Sequence, residues 1–270
     1  MNWNYNEYKL GGELSKVIDC VWFENYFDQP ENVGATQSIF PDLSVELIFS
    51  ESSIERLGFE RNESVSLRCH LSGLKTKPQK VKVERSSSLG VRIKPSALYL
   101  FSEITPADTI DNSIETNLIF SNRIKDLEDK VLESGSVDHK VHIVQSFFKE
   151  LLALNHHKRD HSFEYMVDLI NRSHGNISLS YLALKTGLST KTVERKFKSK
   201  LGLSPKKYSR LVRVVNTLKA HRYKNTLTAL AYDNYYYDQM HFVKEVKCFT
   251  GLTPTGFFSA SKGIQSPTFA

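Results

Sequence analysis

The sequence predicts an α+β protein of two domains. An N-terminal β-barrel or sandwich-like domain leads through a helical connector into a C-terminal all-α domain, in which two helix-turn-helix units are joined by a long helix. Three observations predict this. Apolar residues alternate with polar ones in short runs over the first 110 or so residues. The apolar period then lengthens to that of a helix. One apolar skeleton occurs twice in the last third of the chain.

The strands come first. Val45, Leu47 and Phe49 alternate with Glu46 and Ile48, and Leu67, Cys69 and Leu71 with Arg68 and His70. Val81 and Val83 flank Lys82, and Val91 and Ile93 flank Arg92. Such runs are half-buried antiparallel strands. Pro30, Gly34, Pro41, Gly58, Asn62, Gly73, Pro78, Gly90 and Pro95 punctuate them as turn-formers. Many short strands at this spacing favour a small barrel or sandwich over residues 1–117.

A helical connector, 118–158, follows. Ile124, Leu127 and Val131 fall at helical spacing, and Val144, Phe147, Phe148 and Leu151 repeat i, i+3, i+4, i+7. Phe163, Met166, Val167 and Ile170 do the same beyond the polar stretch Asn155–Asp160, which reads as a linker. The last domain, 159–263, is expected to hold only helices.

Its repeat is specific. Leu182-Ala183 recurs 48 residues on as Leu230-Ala231. Gly202-Leu203-Ser204-Pro205 recurs 49 residues on as Gly251-Leu252-Thr253-Pro254. Val193 and Phe197 correspond to Phe242 and Val246. In the first copy, a short helix 179–186 carries Leu182 and Ala183 inward, and Gly187 supplies a left-handed turn residue. Ser189 caps a second helix, 190–200, with Val193, Phe197 and Leu201 buried. Lys191, Thr192, Glu194, Arg195 and Lys198 lie on its outer face. Ser204-Pro205 starts a long helix to about Arg222, whose inner face is Tyr208, Leu211, Val212, Val215 and Leu218. In the second copy Thr226 caps 227–233, and Asp238 caps a helix to about Phe249 with Gln239, Met240, His241 and Lys244 outside. A helix, a tight turn and a second helix with a basic outer face read as a DNA-binding unit.

Charge agrees. The 270 residues carry a net +6. Residues 1–159 hold 19 Lys+Arg and 23 Asp+Glu, or −4, and residues 160–270 hold 17 and 7, or +10. A basic domain favours a polyanion through phosphate contacts and counterion release. No run of 18 apolar residues suggests a membrane span, and the N-terminus does not read as a secretory signal. Cys20, Cys69 and Cys248 form neither a disulfide framework nor a zinc pattern, and read as buried free thiols of a cytoplasmic protein.

The back domain resembles the AraC/XylS family of bacterial transcription regulators. The residues that carry the resemblance are Gly187-Leu188-Ser189, Arg195-Lys196-Phe197-Lys198, Gly202-Leu203-Ser204-Pro205, Arg213, Tyr236-Tyr237-Asp238-Gln239-Met240-His241-Phe242 and Phe249-Thr250-Gly251-Leu252-Thr253-Pro254. The resemblance implies that two recognition helices enter successive major-groove segments. By position it makes Lys191, Glu194 and Arg195 base readers in the first unit, and Gln239, Met240 and Lys244 in the second. Arg195 suits guanine, Glu194 cytosine and Gln239 adenine. Lys198, Lys206 and the helix N-termini, with Ser189, Thr192 and Asp238 beside them, complete the candidate contacts. His241 reads as a packing residue or a contact. Tyr235 stands where the family has a turn glycine. A tyrosine in a left-handed turn is strained, and Asn234 in a shifted turn is the alternative. Lys244 stands where arginine is usual.

In the front domain, Val17–Trp22, Phe40-Pro41-Asp42 with Glu46–Phe49, and Gly90–Pro95 resemble the β-rich N-terminal domain of one subgroup of these regulators, with Leu43 where glycine is usual. That implies a sensor or dimerisation domain. The expected partner is double-stranded DNA; RNA polymerase, a small-molecule effector and a second copy of the chain are compatible with the resemblance.

Enzyme readings find little. His156, His157 and His161 sit in a polar linker without a supporting ligand pattern, and His70 stands alone, so no metal is expected. For Asp42 and Glu46, a turn cap and a solvent-facing strand residue are the simpler roles than a catalytic pair. No phosphate loop or nucleophile elbow is present, and no cofactor is expected.

Overall fold

The computed structural model describes residues 4–25, 36–57, 64–82, 86–102, 104–120, 123–221 and 226–261. Pro30, Gly34, Gly58, Asn62, Val83 and Arg222, named above, and residues 262–263 at the expected domain end, lie outside these. The chain divides into two compact units. One holds Met1–Gln37, Ser44–Leu74 and Gln79–Arg159, the other Ser38–Leu43, Lys75–Pro78 and Asp160–Ala270.

The first unit is built on an antiparallel sheet. Its strands are β1 (Asn4–Tyr8), β2 (Ile18–Asn25), β4 (Val45–Leu57), β5 (Ser64–Ser72), β6 (Gln79–Lys82), β7 (Ser87–Ile93) and β8 (Ser113–Glu115), with β3 (Thr36–Ile39) earlier in the chain. The order is β1-β2-β7-β4-β5-β8, and β6 pairs with β4. The alternation of the sequence sets the register. Leu47 lies opposite Leu71 and Val91, and Phe49 opposite Cys69 and Leu89, so the apolar residues share one face. Five of these six are at most 2% exposed; Cys69 is half-buried.

The other face is polar yet well covered. Ser50, His70, Ser72 and Ser88 are buried there, and the Ser50 hydroxyl lies 3.0 Å from that of Ser88. Trp22 lies opposite Gly90, where an added Cβ would come within 2.1 Å of the indole ring. Glycine is what lets that ring lie on the sheet. Arg92 donates to Glu46 at 3.1 Å, Glu7 at 2.7 Å and the Tyr5 hydroxyl at 3.1 Å, and Trp22 Nε1 donates to Glu46 at 3.2 Å. Glu46 therefore faces a guanidinium and an indole instead of solvent, contrary to the sequence reading. Asp42 lies 3.9 Å from the Lys75 ammonium.

Short helices α1 (Leu98–Phe101), α2 (Pro106–Thr109) and α3 (Asn117–Phe120) precede α4 (Arg123–Glu133) and α5 (Val137–Leu154). Ile124, Leu127 and Val131 are the buried stripe of α4. Val144, Phe148 and Leu151 are buried in α5 while Phe147 is half-buried. Phe148 meets Phe101 edge-on at 5.0 Å.

The second unit's helical part runs through α6 (His161–Arg172), α7 (Leu179–Thr186), α8 (Thr190–Leu201), α9 (Pro205–Ala220), α10 (Leu227–Asp233), α11 (Gln239–Thr250) and α12 (Pro254–Ser261). Side-chain caps start six of them. Asp160, Ser178, Ser189, Ser204, Thr226 and Asp238 each accept the backbone N–H three residues on. A cap of this kind contributes about 1 kcal/mol. Phe163 and Phe197, both fully buried, meet edge-on at 5.3 Å in the core of the first helix-turn-helix. Leu182 is 1% exposed, but Ala183, expected inward beside it, is half-buried.

The repeat is geometric as well as sequential. Gly187 ends α7 with φ +67°, and the Leu188 N–H returns to the Ala183 carbonyl at 3.2 Å. Forty-eight residues on, Tyr235 has φ +63° and the Tyr236 N–H returns to the Ala231 carbonyl at 3.1 Å. Asn234, with φ −111°, does not take the left-handed position. The caps Ser189 and Asp238 are 49 apart, so the second turn is one residue longer, and Tyr237, 87% exposed, accommodates it. Leu43, at the other place where the family pattern has glycine, also has positive φ, +65°.

Candidate nucleic-acid interface

The two second helices, α8 and α11, are built by the same local rules. Ser189 opens α8 by accepting from Thr192 N at 3.1 Å, and its hydroxyl lies 2.9 Å from that of Thr192. Val193, Phe197 and Leu201 are buried, which turns Lys191, Glu194, Arg195 and Lys198 outward, all exposed. Gly202, at φ +81°, ends the helix. Asp238 opens α11 by accepting from His241 N at 2.7 Å. Phe242 and Val246 are buried, leaving Gln239, Met240 and Lys244 exposed.

The candidates thus differ in what they have to offer. Lys191, Arg195, Lys198, Lys206 and Lys244 are exposed cations. Ser189 and Asp238 are already engaged as caps, and Thr192 is half-buried beside the first. Gln239, exposed, accepts the Thr228 hydroxyl at 2.7 Å through Oε1, a bond that does not use its amide N–H donors. Met240 is 65% exposed. His241 is half-buried, edge-on to the Tyr236 ring at 5.3 Å, with Nε2 3.8 Å from Glu245. It is a packing residue that also faces a carboxylate.

Between α8 and α11 lies a groove of 740 Å³ floored by α9. Glu194 borders it from α8, Lys206, Arg210 and Arg213 from α9, and His241, Lys244 and Glu245 from α11. Two residues here were not singled out from the sequence. Glu245, 4% exposed, accepts Arg210 Nε at 2.6 Å through Oε1, and its Oε2 has no hydrogen-bond partner among the described residues. Arg210 also lies over the Phe249 ring at 5.6 Å. The charged partner keeps the guanidinium cationic, against the opposing effect of burial. The only signal in the sequence was an arginine and a glutamate set among apolar positions of their helices.

Within the second unit, Arg213 links the turn before the first helix-turn-helix to the turn of the second. Its Nη2 donates to the Gly175 carbonyl in the α6–α7 turn at 3.1 Å, and its guanidinium lies 5.6 Å from the centroid of Tyr236 in the second turn. Gly175, at φ +76°, is itself pressed on α9, where an added Cβ would come 2.0 Å from the Ser209 carbonyl oxygen.

Elsewhere, no group of three His, Cys, Asp or Glu that could hold a metal occurs among the described residues, and no described helix is long and apolar enough to cross a membrane. Cys20 is buried and its thiol is pushed up to about 11, by burial first. Cys248, expected inside, is exposed, because it lies on the outer face of α11.

Two family models match the chain: a domain of unknown function (DUF6597) over residues 7–116 and a helix-turn-helix domain over residues 182–260. No curated protein matches it in sequence. Among solved structures, ToxT from Vibrio cholerae O395 is 12% identical, over 86% of this chain and 96% of that one, with a TM-score of 0.47. Unsaturated fatty acid-bound ToxT from Vibrio cholerae strain SCE256 is 12% identical, over 87% and 94%, also at 0.47. The AraC-like transcriptional activator CuxR is 12% identical, over 79% and 86%, at 0.27.

Proposed function

We propose that this chain is a DNA-binding transcription regulator of the AraC type, in which the helix-turn-helix domain matched at residues 182–260 reads two neighbouring major-groove segments, one with α8 and one with α11. The observation that carries the reading is the repeated turn-and-cap geometry on either side of α9, with Arg213 joining the α6–α7 turn to the turn of the second copy. Two like-built helices joined by one rigid helix suit one face of a duplex. Lys191, Glu194 and Arg195 take base edges in the first segment, and Gln239, Met240 and Lys244 in the second. Lys198 and Lys206 take phosphates, and Ser189, Thr192, Asp238 and His241 frame the contacts from the helix starts.

Residues 1–117 act as the controlling domain, 118–158 as the connector and 159–263 as the reader. A small-molecule effector or a second copy of the chain acts through the first of these, and RNA polymerase is the downstream partner. The polar face of the front sheet, with Ser50, His70, Ser72 and Ser88 buried and Arg92 half-buried, supports this, because a few enclosed polar groups are what orient a small molecule in a binding site.

Selection of bound duplexes from a random DNA pool by the full chain, at two salt concentrations, tests the reading. Two short sequence elements about one helical turn apart are expected. Recovery of unselected DNA that is lost at the higher salt would leave only a non-specific binder.

A further inference from the structure

The groove between α8 and α11 is more than the gap left by two convex helices. It is recessed, its floor is α9, and its charged lining is unequal: Lys206, Arg210, Arg213 and Lys244 against Glu194 and Glu245. The first turns of α7 and α9 also border it, through Ser178-Leu179 and Ser204-Pro205-Lys206. Helix N-termini carry outward N–H groups and partial positive charge. Four cations and two such ends make a seat for an anion.

One feature looks contrary, a buried carboxylate in a seat for negative charge. Its geometry removes the difficulty. Glu245 engages only Nε of Arg210, and an arginine carries five N–H donors in a fixed fork. With Nε held by Glu245 and the ring of Phe249 beneath the guanidinium, the fork is fixed in direction. A charge so fixed makes a directional contact at a smaller cost in side-chain entropy than a loose lysine. His241, 3.8 Å from the same carboxylate, is the other group that faces it from α11, and Tyr236 packs on His241 from the turn.

We propose that this groove seats one backbone phosphate of the DNA strand that passes between the two reading helices. Arg210 is the directional contact, Lys206 supplies flanking charge, and Glu245 is the positioning residue that aims Arg210. The proposal rests on the dual-reader assignment above, since only a duplex touching both helices carries its backbone across the groove. It adds a contact that reports no base identity and fixes the register of the two units on the duplex.

The test uses the full chain and the duplex recovered by selection, with a neutral methylphosphonate replacing one phosphate at a time between the two elements. Wild type is expected to lose affinity at one position. Arg210→Ala is expected to be insensitive to that replacement, to bind all sequences more weakly by a common factor, and to show a salt slope shallower by about one. Arg210→Gln, which keeps a donor for Glu245 while removing the charge, is expected to do the same and decides the matter if the alanine variant melts early. Glu245→Gln is expected to reduce the penalty at that one position while leaving the selected sequence unchanged. A wild-type salt slope and replacement profile in both Arg210 variants would overturn the proposal while leaving the two readers standing. Absence of sequence selection by wild type would overturn both.

Discussion

Asp160 and Lys196 join the start of α6 to α8. Asp160 accepts the Phe163 N–H at 3.1 Å through one oxygen, starting α6, while its other oxygen holds the Lys196 ammonium of α8. Lys200 lies 3.7 Å from the same oxygen. One side chain therefore caps one helix and anchors the inner edge of the next, the helix whose opposite face is the candidate reader.

That relationship is sensitive to acid. Burial works against the charge on Asp160, but Lys196, Ser162 and the Phe163 N–H outweigh it and hold the carboxyl at about 2. The unfolded chain has an aspartate value near 3.9, so the folded value is depressed. The stabilisation, about 2 kcal/mol, is present above pH ~4 and is lost as the pH falls toward 2. Asp160→Asn keeps a capping oxygen and removes the ion pair. Thermal melts of the full chain against pH should show a loss of stability in that window for wild type that is smaller in the variant.

Tyr235 stores strain that Gly187 does not. A non-glycine residue in the left-handed region costs about 1–2 kcal/mol. Tyr235→Gly is therefore expected to raise the stability of the reader by about 1 kcal/mol, less the entropy glycine adds to the unfolded chain. Gly187→Ala should lower it by a similar amount through conformation alone, because nothing lies within 4 Å of the added Cβ. Denaturant midpoints of the two variants check both signs. A neutral Tyr235→Gly would mean that the exposed ring gains contacts worth the strain.

Base and phosphate contacts separate by their sequence dependence. Arg195→Ala is expected to weaken binding by about 1–3 kcal/mol and to relax selection at one base pair. Lys198→Ala should weaken binding evenly across sequences and flatten the salt slope by about one. Titrations of matched and mismatched duplexes at several salt concentrations distinguish them. Equal losses on every sequence for Arg195→Ala would reassign it to the backbone.

In the front domain, Gly90→Ala places a methyl group within 2.1 Å of the ring of Trp22, which is itself buried. Overpacking of this kind costs about 1–3 kcal/mol. A lower melting temperature with a blue- or red-shifted tryptophan emission is the expected result, and unchanged emission would show that the indole does not rest on Gly90.

The fold was legible where local rules decide it. The caps Ser189, Ser204, Thr226 and Asp238 answer to neighbours three residues away, and the strand alternation of Leu47 and Phe49 answers to the pleat. The choice between Asn234 and Tyr235 was not legible, since it depends on where the extra turn residue is absorbed, and Tyr237 absorbs it after the left-handed position. The Arg210–Glu245 pair was hidden for another reason. Its members lie 35 residues apart on helices whose facing is a tertiary matter, and a charged residue among apolar ones reads as a helix edge until the partner helix is in place. Glu46 was misread for the same reason, as Arg92 reaches it from a neighbouring strand.

Arg213 touches Gly175 on one side and Tyr236 on the other, and this has a consequence on the DNA side. Spacing tolerance in a two-element operator is set by how far the protein lets its readers move apart or rotate. Each base pair inserted between the elements turns the second by about 35° around the duplex axis, given 10–10.5 base pairs per turn. A chain in which one guanidinium joins the turn before α7 to the turn before α11 cannot follow such a rotation without giving up one of its two contacts. With α8 and α11 as the two readers, operators of a single spacing class are the expected outcome of selection, and a variant lacking the Arg213 side chain is expected to widen that class before it changes a single preferred base.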